Sequence, residues 1–174
     1  VMNLMNRAYY VNIHSATFPA GELRGQIVPE SQYFFTGFLT GMQEPDPVLS
    51  GGNGAVIAEI MGDQMTLSGS FSNMNGDLAT QIGGGSHVHI GLAGSNGPVQ
   101  YPLVATQADD AGSGIYAAAD NTIELVDTAR AFLLNRQFYV NIHSTVFNPG
   151  ELRAKLLHEP TAFFFAALSG ATQA

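Results

Sequence analysis

Residues 6–15 read NRAYYVNIHS, and residues 135–144 read NRQFYVNIHS, at an offset of 129 residues. The offset continues downstream, where Gly21-Glu22-Leu23-Arg24 recurs as Gly150-Glu151-Leu152-Arg153. Self-similarity at a fixed period is the sequence signature of repeated structural units. The chain is therefore built from copies of one unit.

The copies predict the domain organisation. Residues 1–30 and 130–159 are identical at 15 of 30 positions without a gap, and Phe34-Phe35 and Phe163-Phe164 keep the same offset. One period then runs from about residue 33 to residue 160. We expect three parts: the C-terminal portion of a repeat (1–30), a complete repeat (33–160) and the first strand of a following repeat (162–174).

Composition narrows the class of protein. Of the 174 residues, 45% are hydrophobic and only 11% are charged, which favours a protein that packs against copies of itself. The net charge of −8, without a basic cluster, argues against binding to nucleic acid. No apolar run reaches membrane-spanning length, so we expect no membrane insertion. Cysteine is absent, which excludes disulfides and thiolate metal sites.

Short stretches rich in aromatic and β-branched residues are typical of strands. An Asn75-Gly76 pair predicts a hairpin turn. One helix is expected over about 122–134, capped by Asn121 or Thr122, with an apolar face. Many short strands with a single helix favour an all-β antiparallel sandwich. The predicted strands are 33–42, 55–60, 64–71, 79–82, 86–92, 138–143 and 151–157, with 98–104 extended, and the helix face is Ile123, Val126, Ala129 and Leu133.

Four stretches together carry a family resemblance: LTGMQEP at 39–45, SHVHIG at 86–91, NGPV at 96–99, and YVNIHS through GELR at 139–153. In order and spacing they resemble the CHRD domain, named from chordin. The resemblance covers residues 33–158, with the partial copies matching the end and the beginning of the domain. It implies an immunoglobulin-like extracellular module, often present in tandem in bacterial surface proteins and without established enzymatic activity. We therefore expect a secreted or cell-surface protein that is not an enzyme.

Three histidines are candidate metal ligands. His87 and His89 are two apart on a predicted strand, so both point to one face, and His143 lies on the strand of the NIHS motif. If these strands adjoin, three imidazoles would bind copper or zinc. Alternatively, the histidines form a polar network with Asn141, Glu151 or backbone carbonyls, without any metal. Both interpretations remain open at the level of sequence.

A structural role is predicted for the residues around this motif. Glu151 and Arg153 lie two apart on the last strand, where an ion pair is the simplest expectation. The loop with Asp109 and Asp110 offers oxygens to calcium but lacks the ligand spacing of an EF-hand. The residues assigned a structural role are Asn141, Glu151 and Arg153, with their first-copy counterparts Asn12, His14, Glu22 and Arg24.

The partial repeats suggest assembly. Residues 162–174 bring an aromatic strand, and residues 1–30 bring closing strands, each without the rest of its domain. Strand addition between copies, head to tail, would cover both and build fibres. Alternatives are a tandem module that binds matrix proteins or glycans, and a histidine-based metal-binding module. The residues assigned to assembly are Phe163, Phe164, Phe165, Leu168, Tyr10, Val11 and Ile13.

Overall fold

A computed structural model describes residues 3, 8–27, 33–108, 110 and 112–158. The chain divides into two compact units, Val1–Gln32 and Tyr33–Ala174. The smaller unit carries the first copy of the repeated hairpin, and the larger unit carries the second copy.

The smaller unit contains an antiparallel hairpin of β1 (Tyr10–Ile13) and β2 (Leu23–Gln26). In its turn, the Gly21 N–H donates to Phe18 O across 3.0 Å. Gly21 has φ of +127°, a conformation that favours glycine. A Cβ there would lie 2.5 Å from Asn12 Oδ1, so a side chain would also collide with its neighbour.

The larger unit contains an antiparallel sheet of eleven described strands and one α-helix, α1 (Asp127–Leu134). The strands are β3 (Tyr33–Thr40), β4 (Asn53–Met61), β5 (Gln64–Ser72), β6 (Ser86–Ile90), β7 (Val99–Pro102), β8 (Thr106–Gln107), β9 (Gly114–Tyr116), β10 (Thr122–Glu124), β11 (Phe138–Ile142), β12 (Leu152–Lys155) and β13 (Leu157–His158).

The strand order is β7-β6-β11-β12-β3-β4-β5-β9-β8, while β10 pairs with β5 and β13 pairs with β3. The two halves of this curled sheet meet at β3. At β3, strand β12 pairs only through Arg153 and Thr40. Farther along β3, strand β13 pairs with Thr36 and Phe35 instead. The predicted all-β, antiparallel, sandwich-like fold is confirmed.

The core gathers apolar side chains from both halves of the sheet. Phe35, Val56, Leu67 and Val140 are fully buried in one cluster. Strand β11 is buried along its whole length, because it lies between β6 and β12 and carries no solvent-facing residue. The NIHS motif is therefore placed in the interior of the domain.

The helix begins later than predicted. Residues 122–124 form β10 on the edge of β5, and α1 starts only at Asp127. Asn121 does not cap a helix, because its side chain bonds to the backbone N–H and carbonyl of Val104 and to Ala117 O. No helix in the part of the chain that the structure describes has the length and hydrophobicity needed to cross a membrane.

The predicted strand at 79–82 and the hairpin at Asn75-Gly76 are wrong. Residues 80–84 form turns, with the Ile82 N–H donating to Ala79 O and the Gly84 N–H donating to Thr80 O. The Asn75 N–H bonds to the distant Glu151 carboxylate instead of closing a local turn. A tertiary contact thus replaces the local hairpin.

Candidate metal centre

Strand pairing brings the three predicted histidines together. His87 and His89 lie on β6, opposite Asn141 and Tyr139 of β11, and His143 follows the end of β11 by one residue. One nitrogen of each ring lies within 4.8 Å of the others. All three side chains are at least 90% buried, so the cluster lies inside the protein.

Each imidazole is anchored by a backbone carbonyl. His87 Nε2 lies 3.0 Å from Gly83 O, and His89 Nδ1 lies 2.9 Å from Gly97 O. His143 Nδ1 lies 2.8 Å from Asn148 O. A carbonyl oxygen only accepts hydrogen bonds, so each of these nitrogens carries the hydrogen in the tautomer that satisfies the network.

The remaining nitrogens carry lone pairs and face one another. His87 Nδ1 and His143 Nε2 are 3.3 Å apart, and His89 Nε2 is buried without a hydrogen-bond partner. Lone pairs in contact repel, and a buried acceptor without a donor is costly. The interior of the triad therefore favours a positive charge.

The spacing between His87 Nδ1 and His143 Nε2 suits a metal ion, and His89, within 4.8 Å of the other two rings' nitrogens, would have to move slightly closer to share it. Zinc–nitrogen bonds of about 2.0–2.1 Å place neighbouring tetrahedral ligands roughly 3.3 Å apart. Neutral imidazole is a ligand that zinc and copper accept. Burial is the main cause that lowers the pKa of both His89 and His143, against the hydrogen bonds to Gly97 and Asn148 that raise it. Lowered pKa values keep these rings neutral.

A run of three glycines, to which no role was assigned from the sequence, shapes this site. Gly83, Gly84 and Gly85 all have positive φ, between +54° and +91°. A Cβ on Gly83 would lie 2.5 Å from His87 Nε2. Glycine at this position allows the carbonyl to approach the His87 ring closely.

The predicted ion pair between Glu151 and Arg153 does not form. Glu151 Oε1 accepts hydrogen bonds from Ser50 Oγ at 2.5 Å and from the Asn75 N–H at 2.6 Å. Arg153 instead donates to Ser95 O at 2.5 Å and to other groups of the loop after β6. The two side chains diverge because each closes a different loop onto the sheet.

Asn141 and Glu44 share the space beside Gly150. A Cβ on Gly150 would lie 2.5 Å from Asn141 Oδ1 and 2.6 Å from Glu44 Oε1. Burial raises the pKa of Glu44 to about 7, although the Arg153 charge and an Asn141 hydrogen bond act to lower it. No role was predicted for Glu44 from the sequence, although it lies in the stretch at 39–45 that carries the family resemblance.

The first copy reproduces these local contacts. His14 Nδ1 lies 2.8 Å from Pro19 O, as His143 does from Asn148 O, and Arg24 lies over the Tyr10 ring at 3.7 Å. Its apolar side chains, however, are open to solvent: Tyr10, Val11 and Ile13 are each about half exposed. Phe163, Phe164, Phe165 and Leu168, which were assigned to assembly, lie outside the described residues, as does Asp109.

The histidine triad is the one group of three metal-ligating side chains close enough to share an ion among the residues that the structure describes. In the acidic loop, Asp110 Oδ2 accepts a hydrogen bond from Ser113 Oγ at 2.8 Å. Asp109 and residue 111 of that loop lie outside the described residues, so calcium binding there stays a prediction.

A family model of the CHRD domain matches residues 1–27 and 35–156. The chain belongs to the CHRD domain family. CHRD domains occur in extracellular proteins, so this is a module of an extracellular type. The two matches end at Ile27 and Leu156, which are again 129 residues apart. No curated protein and no solved structure matches the chain significantly.

Proposed function

We propose that this CHRD module binds one copper(II) or zinc ion through His87 Nδ1, His89 Nε2 and His143 Nε2. The observation that carries the proposal is the shared orientation of the three rings. Each ring donates its N–H to a backbone carbonyl, so the lone pairs of the three remaining nitrogens have only one another as neighbours. A cation between them satisfies all three acceptors at once.

The ion would act by binding and cross-linking rather than by catalysis. It would tie β6 to the loop that follows β11, and it would leave one coordination position for water or an external donor. An ion that binds only the folded chain stabilises it by about 2.7 kcal/mol at a hundredfold excess over Kd. We propose that the module is secreted or displayed on a cell surface, where that stabilisation is useful.

The test is titration of the metal-free chain with zinc and with copper(II), followed by metal analysis after gel filtration. We expect one ion per chain and a higher melting temperature that a chelator reverses. His143→Ala should lose the ion, whereas His14→Ala, the matched change in the first copy, should retain it. The proposal is wrong if neither ion binds, or if His143→Ala binds like the unmodified chain.

We propose assembly between copies as a second function. It is favoured by the contrast between the two hairpins: Val140 and Ile142 are fully buried, but their counterparts Val11 and Ile13 are each 54% exposed. The proposed cover is residues 162–174 and the sandwich of the next copy. In the complete repeat the corresponding first strand, β3, pairs with β12 and β13. Head-to-tail pairing of this kind would build a fibre.

Deletion of residues 162–174 tests the assembly. We expect the intact chain to form long polymers visible by electron microscopy, and the deleted chain to remain monomeric by light scattering. Unchanged melting of the larger unit would confirm that the deletion left the domain folded. Long assemblies that survive the deletion would rule out this mode of pairing.

A further inference from the structure

Tyr139 connects one of the candidate ligands to a buried arginine. On β11 it lies opposite His89 of β6 on one side and Lys155 of β12 on the other. Its ring is stacked on the His89 ring, with centroids 5.0 Å apart and planes 11° apart. The Arg153 guanidinium carbon lies 3.5 Å from the Tyr139 ring centroid. Guanidinium, phenol and imidazole are thus in successive contact.

The same arginine also holds the loop between β6 and β7. It donates to Ser95 O at 2.5 Å, to Asn96 Oδ1 at 3.3 Å and to Leu92 O at 3.4 Å. Near the end of this loop lies Gly97, whose carbonyl anchors His89 Nδ1 at 2.9 Å. A second route from Arg153 therefore reaches the same imidazole.

Tyr139 joins the two routes. Its hydroxyl accepts a hydrogen bond from the Gly97 N–H at 3.1 Å. The carbonyl that anchors His89 belongs to the same residue, Gly97. The stacked Tyr139 ring thus sets the plane of the His89 ring. The Gly97 carbonyl sets the tautomer of His89, and Tyr139 and Arg153 both hold that carbonyl in place. Outer groups of this kind orient metal ligands and tune their affinity.

We infer that Arg153 is a positioning residue of the metal centre, acting on His89 through Tyr139 and the loop at 92–97. The inference rests on the proposed metal binding. Arg153 is only 2% exposed, and among the described residues its charge acts on the Glu44 carboxyl group without forming a direct ion pair, so ion pairing alone does not explain its burial. The planar guanidinium group of Arg153 stacks on the Tyr139 ring and donates hydrogen bonds to three acceptors at the same time, which the ammonium group of lysine cannot do.

A substitution series separates positioning from charge. Arg153→Lys keeps the charge but loses the plane and the forked donors, so the His89 ring loses its fixed orientation. We expect zinc affinity, measured by competition with a chromophoric chelator, to fall about 10-fold, within the range for outer groups of metal sites. The copper(II) electron paramagnetic resonance spectrum should change its nitrogen hyperfine pattern, because one imidazole is reoriented.

The first copy supplies the matched control. Arg24 lies over Tyr10 as Arg153 lies over Tyr139, but its hairpin has no His-x-His strand in the sequence. Arg24→Lys should therefore leave affinity and spectrum unchanged. Tyr139→Phe retains the stacked ring but removes the acceptor for the Gly97 N–H. This milder change should weaken zinc binding and alter the spectrum even if Arg153→Lys fails to fold.

The outcomes distinguish the two proposals. If the unmodified chain binds neither ion, the metal function itself fails. If it binds, and a folded Arg153→Lys variant retains its affinity and spectrum, Arg153 has only a structural role and the inference is overturned. If Arg153→Lys does not fold, unchanged affinity and spectrum in Tyr139→Phe overturn the inference instead. Reduced melting temperature of the metal-free variants without a spectral change counts against positioning in the same way.

Discussion

Tyr10 and Tyr139 occupy equivalent positions in two copies of one hairpin, yet Tyr10 is 47% exposed and Tyr139 is 1% exposed. Each carries an arginine over its ring, at 3.7 and 3.5 Å. The cation contact therefore forms within the hairpin, without help from a sandwich. In the second copy the His-x-His strand β6 covers the other side of β11, whereas among the described residues β1 pairs with β2 alone.

A matched pair of truncations measures this difference. Ile142→Ala removes a fully buried side chain and should lower the free energy of unfolding of the larger unit by about 2–5 kcal/mol. Ile13→Ala changes a side chain that is 54% exposed and should cost less than about 0.5 kcal/mol in the isolated chain. Denaturant unfolding of dilute protein checks both values. Equal losses would contradict the open state of the first hairpin.

Gly83 should contribute to metal affinity. Gly83→Ala places a Cβ 2.5 Å from His87 Nε2 and displaces the ring from its anchoring carbonyl, so zinc affinity should fall roughly 10-fold. Gly84→Ala is the control, because Gly84 also has a positive φ, of +91°, but its Cβ would meet nothing closer than 3.9 Å. Similar losses in both variants would attribute the effect to backbone strain alone.

The shared face of His87 and His89 was predictable from sequence, because it follows from strand periodicity, whereas the pairing of β6 with β11 that brings His143 to them was only a condition of the prediction. His87 and His89 share a face two residues apart, and the repeated NIHS motif places His143 beside a buried strand. Their anchoring carbonyls were not predictable. Those of Gly83, Gly97 and Asn148 belong to loops whose conformations depend on positive φ values and tertiary contacts.

Tertiary contacts that the sequence does not reveal also explain the predictions that were wrong. Asn121 has the residue type of a helix cap, but the nearby Val104 backbone offers it two hydrogen bonds and an adjacent strand edge accepts residues 122–124. Glu151 and Arg153 have the spacing of an ion pair, but each finds backbone partners more than 50 residues away. A long-range partner overrides the local structure that the residue types favour when it satisfies a buried polar group better.

Glu151 provides a test of such a long-range contact. Its carboxylate is fully buried and accepts from Ser50 Oγ and from the Asn75 N–H, so it fixes the segments that flank β4 and β5. Glu151→Ala should lower the free energy of unfolding by about 1–3 kcal/mol or more, because the two donors lose their partner. Glu22→Ala, the equivalent change in the first copy, alters an exposed side chain and should be nearly neutral. Thermal unfolding that ranks the two variants in the opposite order would contradict this role.

Glu44 predicts a pH dependence of stability with a definite sign. Burial raises its pKa from 4.5 to about 7, so between these values the folded chain holds a proton that the unfolded chain has released. Its contribution to stability is therefore present below pH 4.5 and is lost as the pH rises through 7. Glu44→Gln keeps the shape without the charge. The melting temperature of the variant relative to the unmodified chain should increase from pH 5 to pH 8.

The difference should level off above pH 7, since the carboxyl group is then already ionised in both states of the unmodified chain. At that plateau, each kcal/mol by which the buried charge lowers the free energy of unfolding corresponds to a melting-temperature difference of roughly 2–4 °C in a domain of this size. A Glu44→Gln difference that is flat from pH 5 to 8 would show that the Arg153 charge and the Asn141 hydrogen bond compensate fully for burial.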